Sequence, residues 1–477
     1  MRSIPLHKIS LMMASLVCLS YWVWLFFGST MQVVHDAVEY ENVGRLIYKQ
    51  GWVGFFQNGV RREPLYSTLI AFSMWASDQL GTNYQTLQKI LQLGLLFITQ
   101  LLSWLILTVL EVRLPMRILT VLYIGLSPAL VNASLSLYSE IALFPWIVLA
   151  VLLCAHSWNV VLLGNKRDAV LFAIATAAAF LACVFVKGIF VLVIYVLMVP
   201  FVGLAISAVF NNKTDFMGRA AVYVFLTVLC FQVPIEVYSG MHHRFSGRYE
   251  FANRAYDHLY GSAHKRVEPL TRNRLLGQIT AIPGTGVCER FFSEEECKWT
   301  EFHSVDVYRN ALEDMVKGLP VEQHKMVILE ATKNKIIGHP LQYLMFTLIE
   351  APRMLFWEST QIGFVDYPEP LHTLFQRGWF KDGVRFTVSL ASITAVFGNL
   401  LYLWTQCRPA VWIEISEDAK RYRLLFFLLL MVFAYSGVYS LFAILTRFAL
   451  PLGSIYLMLI AVMINRTLGV RGNSLLA

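Results

Sequence analysis

Charged side chains are scarce in this sequence. Only 15% of its 477 residues are Asp, Glu, Lys or Arg, against roughly a quarter in an average soluble protein. A soluble chain of this length would fold into several domains with polar surfaces, and this composition excludes that class. The sequence contains instead apolar runs of about 18 to 25 residues, long enough to cross a bilayer as helices. It therefore predicts an all-α polytopic membrane protein.

Ten apolar segments are predicted to span the membrane, at roughly 9–27, 87–110, 118–137, 141–159, 168–186, 189–210, 220–239, 385–405, 424–444 and 448–466. Basic residues such as Arg113 and Arg117 occupy every second gap, which places those gaps and both chain ends in the cytoplasm. Two further apolar stretches, 64–80 and 339–356, would break this alternation if they crossed. We expect both to be interfacial helices on the outer side, and the sequence leaves a crossing by either one open.

These spans divide the chain into three parts. Residues 1–240 form a transmembrane module whose first outer loop, about 30–86, is rich in acids and bases. Residues 241–384 are predicted to hold a small extracytoplasmic α or α/β domain and the second interfacial helix. Residues 385–477 supply the last spans. The net charge of +8 follows from the basic cytoplasmic loops, so we expect no nucleic acid partner.

Cysteine is also sparse, with seven residues in all, and only Cys288 and Cys297 lie in the long outer segment. A disulfide between them would fit an oxidising compartment, although two free thiols remain open. A zinc site is disfavoured because the nearest histidine, His303, gives no ligand spacing. The sequence also lacks a glycine-rich phosphate loop and a dinucleotide-binding fingerprint.

The first outer loop places Asp36 and Glu39 three residues apart, on one face of an amphipathic helix predicted over 36–50, with Tyr40 beside them. A carboxylate held at the rim of a helical bundle suits a general base acting on a hydroxyl. A helix cap or a solvated loop acid is the alternative for either residue.

Three other ionisable residues interrupt apolar stretches on the same predicted side: Glu140, Lys187 and Arg447. Charges in such places are costly and point to function, although Glu140 also suits a helix cap and the two cations could reach the interface by extending their side chains. Together, cations and acids on one face suit an anionic lipid headgroup meeting a nucleophile.

These residues lie in motifs that resemble the GT-C glycosyltransferases, and more closely the group of protein O-mannosyltransferases and the lipid A aminoarabinose transferase. Asp36, Tyr40, Arg62 and Pro64-Leu65-Tyr66 match that group's first outer loop. SLYSE at 136–140, HPLQYLMFTL at 339–348 and TRFALPL at 446–452 match later motifs in the same order. Ser67 and Phe448 depart from the pattern, since the group often has proline and tyrosine there.

The resemblance implies a GT-C-like bundle that transfers a sugar, with inversion, from a polyprenyl-phosphate-linked donor to a hydroxyl of a glycolipid, polysaccharide or protein. Asp36 would be the general base, with Glu39 as a second catalytic acid. The donor phosphate would meet Arg447 and Lys187, assisted by Arg62 or Arg61. Tyr40, Glu63, Tyr66 and Glu140 are the expected substrate-binding residues.

The resemblance also implies an active site on the extracytoplasmic side, with an undecaprenyl carrier in a bacterium or a dolichyl carrier in a eukaryote. We expect a bacterial inner membrane, with the active site facing the periplasm. A divalent cation, Mg²⁺ or Mn²⁺, held among His35, Asp36, Glu39 and Glu63 stays open, and no cofactor is certain. A flippase for lipid-linked sugars and an O-antigen ligase or polymerase are the rival functions. The flippase is disfavoured because a translocation path would place ionisable residues near mid-membrane.

Overall fold

The computed structural model describes residues 6–59, 62–210, 214–251, 255–283, 285–299, 309–358, 364–406, 413–414, 416–442 and 446–474. Its helices α1 to α21 are, in order, Leu6–Gly28, Asp36–Gln57, Pro64–Leu80, Tyr84–Val109, Leu114–Leu126, Pro128–Leu135, Glu140–Leu163, Lys166–Val186, Phe190–Phe210, Thr214–Ser246, Ala255–Arg266, Arg272–Thr280, Thr285–Cys288, Glu294–Cys297, Arg309–Val316, Val321–Gly338, Pro340–Glu350, Glu369–Gln376, Gly378–Gln406, Glu417–Leu441 and Gly453–Ser474. Two 3-10 helices, Ala351–Leu355 and Thr446–Leu452, and an antiparallel pair of two-residue strands, β1 Thr30–Met31 and β2 Val365–Asp366, accompany them.

Nine helices in the described ranges are long and apolar enough to cross a membrane, and the number becomes ten if α5 and α6 are counted as one bent span. The other spans are α1, α4, α7 to α10, α19, α20 and the segment Arg447–Gly469 that contains most of α21. The chain is thus an all-α polytopic membrane protein, as its composition predicts.

The segment 118–137, predicted as one straight span, is two helices that meet at 45°. The break falls at Ser127, because Pro128 has no N–H for the preceding helix and starts a new one at its first position. The Ser127 hydroxyl caps α6 by accepting the Leu130 N–H at 3.2 Å.

The two stretches expected to be interfacial are not among the candidate spans of the described residues. Residues 64–80 form the 17-residue helix α3, which starts with Pro64 and ends before Gly81 in the left-handed region (φ 63°). The second stretch is divided, because α17 ends at Glu350 and a 3-10 turn containing Pro352 follows it.

In the residues described, the part between the two membrane regions consists mainly of helices α11 to α18, of which α16 is the longest with 18 residues. It begins later than the sequence division, since α10 continues through residue 240 to Ser246, and α19 starts at Gly378 rather than near 385. A disulfide joins Cys288 and Cys297, with their Cα atoms 5.8 Å apart.

Helix α7 lies at the centre of the bundle, packed against α4, α8 and α20. Its residues are apolar on all sides, including buried Ile147, Val148 and Val151, which is the pattern of a helix enclosed by others. Because this packing fixes α7, it also fixes Glu140 at the helix N-terminus, where the candidate site lies.

Candidate functional site

The first turn of α2 carries Asp36, Glu39 and Tyr40 on one face, as their spacing requires. Burial of Ala37 and Tyr40 holds this turn against the bundle. The helix breaks only later, at Gly51, whose positive φ of 66° is a conformation that glycine adopts without strain. The α2 turn therefore presents two carboxylates from a fixed position.

Asp36 is bound by two guanidinium groups, one on each carboxylate oxygen. Arg62 Nη2 lies 2.5 Å from Oδ1, and Arg447 Nη2 donates to Oδ2. Arg62 comes from the turn before α3, whereas Arg447 comes from the 3-10 turn before α21. The neighbouring Arg61, the other cation expected here, lies outside the described residues.

Arg62 also reaches the other residues of the α2 face. Its Nε donates to Glu39 Oε2 at 2.8 Å, and its guanidinium lies over the Tyr40 ring, 4.7 Å from the centroid. A planar guanidinium can serve two carboxylates and an aromatic face at once, which a lysine could not. Arg62 therefore fixes the relative positions of Asp36, Glu39 and Tyr40.

A separate ion pair joins Lys187 to Glu140 at 3.0 Å, and the two side chains are only 13% and 2% exposed. Lys187 lies in the turn between α8 and α9, and Glu140 begins α7. Hydroxyl groups connect this pair to the first cluster: Tyr40 Oη lies 2.9 Å from Ser139 Oγ, and Ser139 donates to Glu140 at 3.5 Å. The Lys187–Glu140 pair and the ion pairs of Asp36 and Glu39 thus belong to one network.

Glu63 does not face the arginines. Its carboxylate accepts the backbone N–H of Gly188 at 2.9 Å, and so holds the turn that carries Lys187. A carboxylate that accepts a backbone N–H at the start of a helix is favourably placed, because the helix N-terminus is partly positive. Glu63 therefore acts in this structure as a support for Lys187.

Tyr66 lies behind Tyr40, with the two rings edge to face at 5.1 Å. It is fully buried and donates to Gln92 Oε1 at 2.7 Å. Gln92 in turn donates to the carbonyl oxygens of Ser134 and Ser136. Tyr66, expected to bind substrate, is thus enclosed by protein. Its ring packs against Tyr40 and helps to hold that residue in place.

Three charged members of the network are partly accessible. Asp36, Glu39 and Arg447 keep between a fifth and a quarter of their side-chain surface exposed, whereas Tyr40 and Glu140 are buried. A ligand that approaches this end of the bundle would therefore meet two carboxylates and a guanidinium first.

Charge, rather than burial, sets the protonation of the site. Burial raises the pKa of Asp36, but the charges of Arg447 and Arg62 and their hydrogen bonds outweigh it and hold that pKa well below its usual range. Burial likewise lowers the pKa of Lys187, and the charge of Glu140 outweighs it, so this pKa lies above its usual value. Both groups are ionised at neutral pH.

Sequence reasoning missed Tyr138. Its hydroxyl accepts a hydrogen bond from Arg447 Nη1 at 3.1 Å, and its ring lies under the same guanidinium at 5.5 Å. Phe448 contacts the guanidinium from another direction at 5.6 Å. The SLYSE motif could have pointed to Tyr138, because Tyr138 and Ser139 directly precede Glu140 in it.

Glu358 is another buried carboxylate, and no motif in the sequence points to it. It lies at the break between α5 and α6 and accepts the Ala129 N–H at 3.0 Å and the Ser127 hydroxyl at 2.9 Å. The Tyr123 hydroxyl donates to it at 3.3 Å. Burial raises the pKa of Glu358 to about 7, against the lowering effect of these donors.

The four residues considered for a divalent cation do not converge. Glu39 faces Arg62, Glu63 faces Gly188, and His35 lies against the Phe364 ring at 5.9 Å. Across the described residues, no three His, Cys, Asp or Glu side chains are arranged to hold a metal ion. We derive no step through a metal.

Comparison with known proteins gives no family: no protein-family model matches the chain, and no curated protein is significantly similar to it.

Proposed function

We propose that this protein is a glycosyltransferase of the GT-C type, which moves a sugar from a polyprenyl-phosphate donor to a hydroxyl acceptor at the outer face of a bacterial inner membrane. The observation that carries this proposal is the network itself. Six ionisable side chains from separate parts of the chain, Asp36, Glu39, Arg62, Glu140, Lys187 and Arg447, meet at one end of a bundle of spans.

The chemistry of such a transfer needs a base and a set of cations. An acceptor hydroxyl gives its proton to a carboxylate while its oxygen bonds to the anomeric carbon, and the bond from that carbon to the phosphate oxygen breaks. Negative charge then grows on the phosphate, where fixed cations stabilise the transition state. Asp36 is ionised and partly exposed, as a base must be, and Arg447, Arg62 and Lys187 are the cations beside it.

The residues divide by role in this proposal. Asp36 is the base, and Glu39 orients Arg62 and completes the acidic face toward the acceptor. Arg447, Arg62 and Lys187 bind the donor phosphate. Tyr40, Tyr66, Glu63 and Glu140 are positioning residues. The two tyrosine rings pack on each other, Glu140 faces Lys187, and Glu63 accepts the Gly188 N–H.

A transfer assay tests this function. Membranes containing the wild type or Asp36→Asn are given polyprenyl-phosphate sugars, and product formation is followed. General base catalysis is worth roughly 10²- to 10⁴-fold, so we expect the wild type to transfer sugar and the folded variant to lose activity by that order. Full activity in Asp36→Asn would remove Asp36 from the mechanism. Movement of lipid-linked sugar across vesicles without any transfer would instead make the protein a flippase.

A further inference from the structure

We propose that Arg62 and Arg447 bind Asp36 in the resting protein and bind the donor phosphate instead when the donor arrives. Donor binding then frees the Asp36 carboxylate to act as the base. This inference rests on the proposed function, because it concerns the same site and the same donor. It adds an order of events, in which the carboxylate becomes an effective base only after a phosphate has arrived.

The resting network leaves no spare cation among the described residues. Arg62, Lys187 and Arg447 are each paired with a carboxylate, and the carboxylates are Asp36, Glu39 and Glu140. A phosphate that binds any of these three cations therefore competes with a carboxylate. The question is which carboxylate gives way.

Asp36 is the carboxylate best placed to give way. It is the one bound by both arginines, and a quarter of its side chain is exposed. Glu140 is 2% exposed, so a ligand would displace it only after passing the more exposed groups. Glu39 is paired with Arg62, whereas Asp36 is paired with both Arg62 and Arg447.

The surroundings of Arg447 would allow it to bind a phosphate in place of Asp36. Its Nη1 is held by Tyr138 and its Nη2 by Asp36, while its buried Nε has no acceptor in the described part of the structure. The guanidinium also lies 5.5 Å from the Tyr138 ring and 5.6 Å from the Phe448 ring, so it would keep contacts when the carboxylate leaves. A planar guanidinium with a free donor matches two phosphate oxygens.

The exchange changes what Asp36 can do. While each of its oxygens faces a guanidinium, taking up a proton sacrifices two attractions, and the carboxylate is a weak base. Once the phosphate holds the arginines, Asp36 accepts the acceptor's proton. The acceptor oxygen bonds to the anomeric carbon, and the electron pair of the broken bond stays on the phosphate. When the lipid phosphate leaves, the arginines return and Asp36 loses its proton to water.

The test is a binding measurement rather than a rate. Farnesyl monophosphate, a short polyprenyl phosphate, is titrated into the purified full chain in detergent, with farnesol as the probe without phosphate. Because Asp36 competes with phosphate for the arginines, Asp36→Asn should bind farnesyl monophosphate more tightly, by about 5-fold or more, the lower end of usual coupling effects. A merely structural Asp36 would give unchanged or weaker binding.

Glu41→Gln is the matched control. Glu41 lies on the same helix and the substitution removes the same charge, but its partners are Arg45 and Tyr84. We expect its affinity for the phosphate probe to stay within about twofold of the wild type, as for a screened charge outside the site. Equal tightening in both variants would mean a general charge effect and would overturn the exchange.

Each result decides a different question. Wild-type binding with no tightening in Asp36→Asn overturns the exchange and leaves the proposed transferase intact. Failure of both proteins to bind the phosphate, or equal binding of farnesol, overturns the donor site and the exchange together.

Should Asp36→Asn fail to fold, infrared difference spectra of the wild type labelled with ¹³C-aspartate replace it. A shifted aspartate carboxylate band on addition of farnesyl monophosphate supports the exchange. An unshifted spectrum at saturation overturns it.

Discussion

Asp36 and Glu358 are two largely buried carboxylates that the structure surrounds with opposite chemistry. Asp36 meets two guanidinium groups, and its pKa lies well below the usual range. Glu358 meets two hydroxyls and one backbone N–H, and burial raises its pKa to about 7. Burial acts in the same direction on both, so the difference comes from the partners. At Glu358 the neutral donors do not offset the effect of burial, whereas at Asp36 the two cations do.

The largest expected effect comes from taking a cation away from Asp36. Arg447→Gln keeps polarity and removes the charge, and we expect kcat to fall by about 10²- to 10³-fold, as for loss of one donor that stabilises transition-state charge. Arg45→Gln, at an exposed position paired with Glu41, is the control and should leave kcat unchanged. A fall of less than fivefold in folded Arg447→Gln would contradict this role.

A smaller effect is expected in the pH dependence of stability, where Glu358 should make the free energy of unfolding fall as the pH rises. The folded protein holds the Glu358 proton more tightly than the unfolded chain, so unfolding releases a proton between pH 4.5 and about 7. This contribution to stability is therefore complete below pH 4.5 and falls as the pH rises, by up to about 3 kcal/mol. Asp36 acts in the opposite direction, since its contribution is lost only as the pH falls below 3.8.

Thermal unfolding of the purified protein at a series of pH values measures this slope. Glu358→Gln cannot titrate, so we expect its midpoint to fall less between pH 5 and 7 than that of the wild type, which is the window from the linkage above. Parallel curves for the two proteins would show that Glu358 does not titrate in this range.

The smallest effects compare two replacements of Glu358 at neutral pH. Glu358→Gln keeps an acceptor for the Ala129 N–H, and we expect a loss below about 1 kcal/mol. Glu358→Ala leaves that N–H and the Ser127 hydroxyl without an acceptor, at a cost of about 2 kcal/mol. Denaturant unfolding of both variants measures the difference. Equal stabilities would mean that water or another group replaces the carboxylate.

The sequence predicts local properties of this protein well, but it does not show which distant residues contact each other. The helical fold and most of the spans follow from long apolar runs, a local property that one sequence displays. Asp36, Lys187 and Arg447 were found because charge is conspicuous in an apolar chain. Their mutual contacts were not visible, since 411 residues separate Asp36 from Arg447, and the interpretation relied on motif order.

Glu358 was missed for the same physical reason. Its partners Tyr123, Ser127 and Ala129 lie more than two hundred residues earlier, and only the fold brings them together. In the sequence it is one acid after an aromatic pair, at the end of a stretch assigned to the interface. The break at Ser127 was missed too, although the Ser127-Pro128 pair carries a recognisable helix-start signal.

The contact between Asp36 and Arg447 also has a consequence for biosynthesis. A membrane protein is inserted from its N-terminus as it is made, so α2 is in place long before the turn Thr446–Leu452 leaves the ribosome. Until then Asp36 has only one of its two arginines. A chain that stalls or is cleaved before this turn holds most of the bundle but an incomplete site. The ionic network around Asp36 is therefore completed only at the last step of assembly.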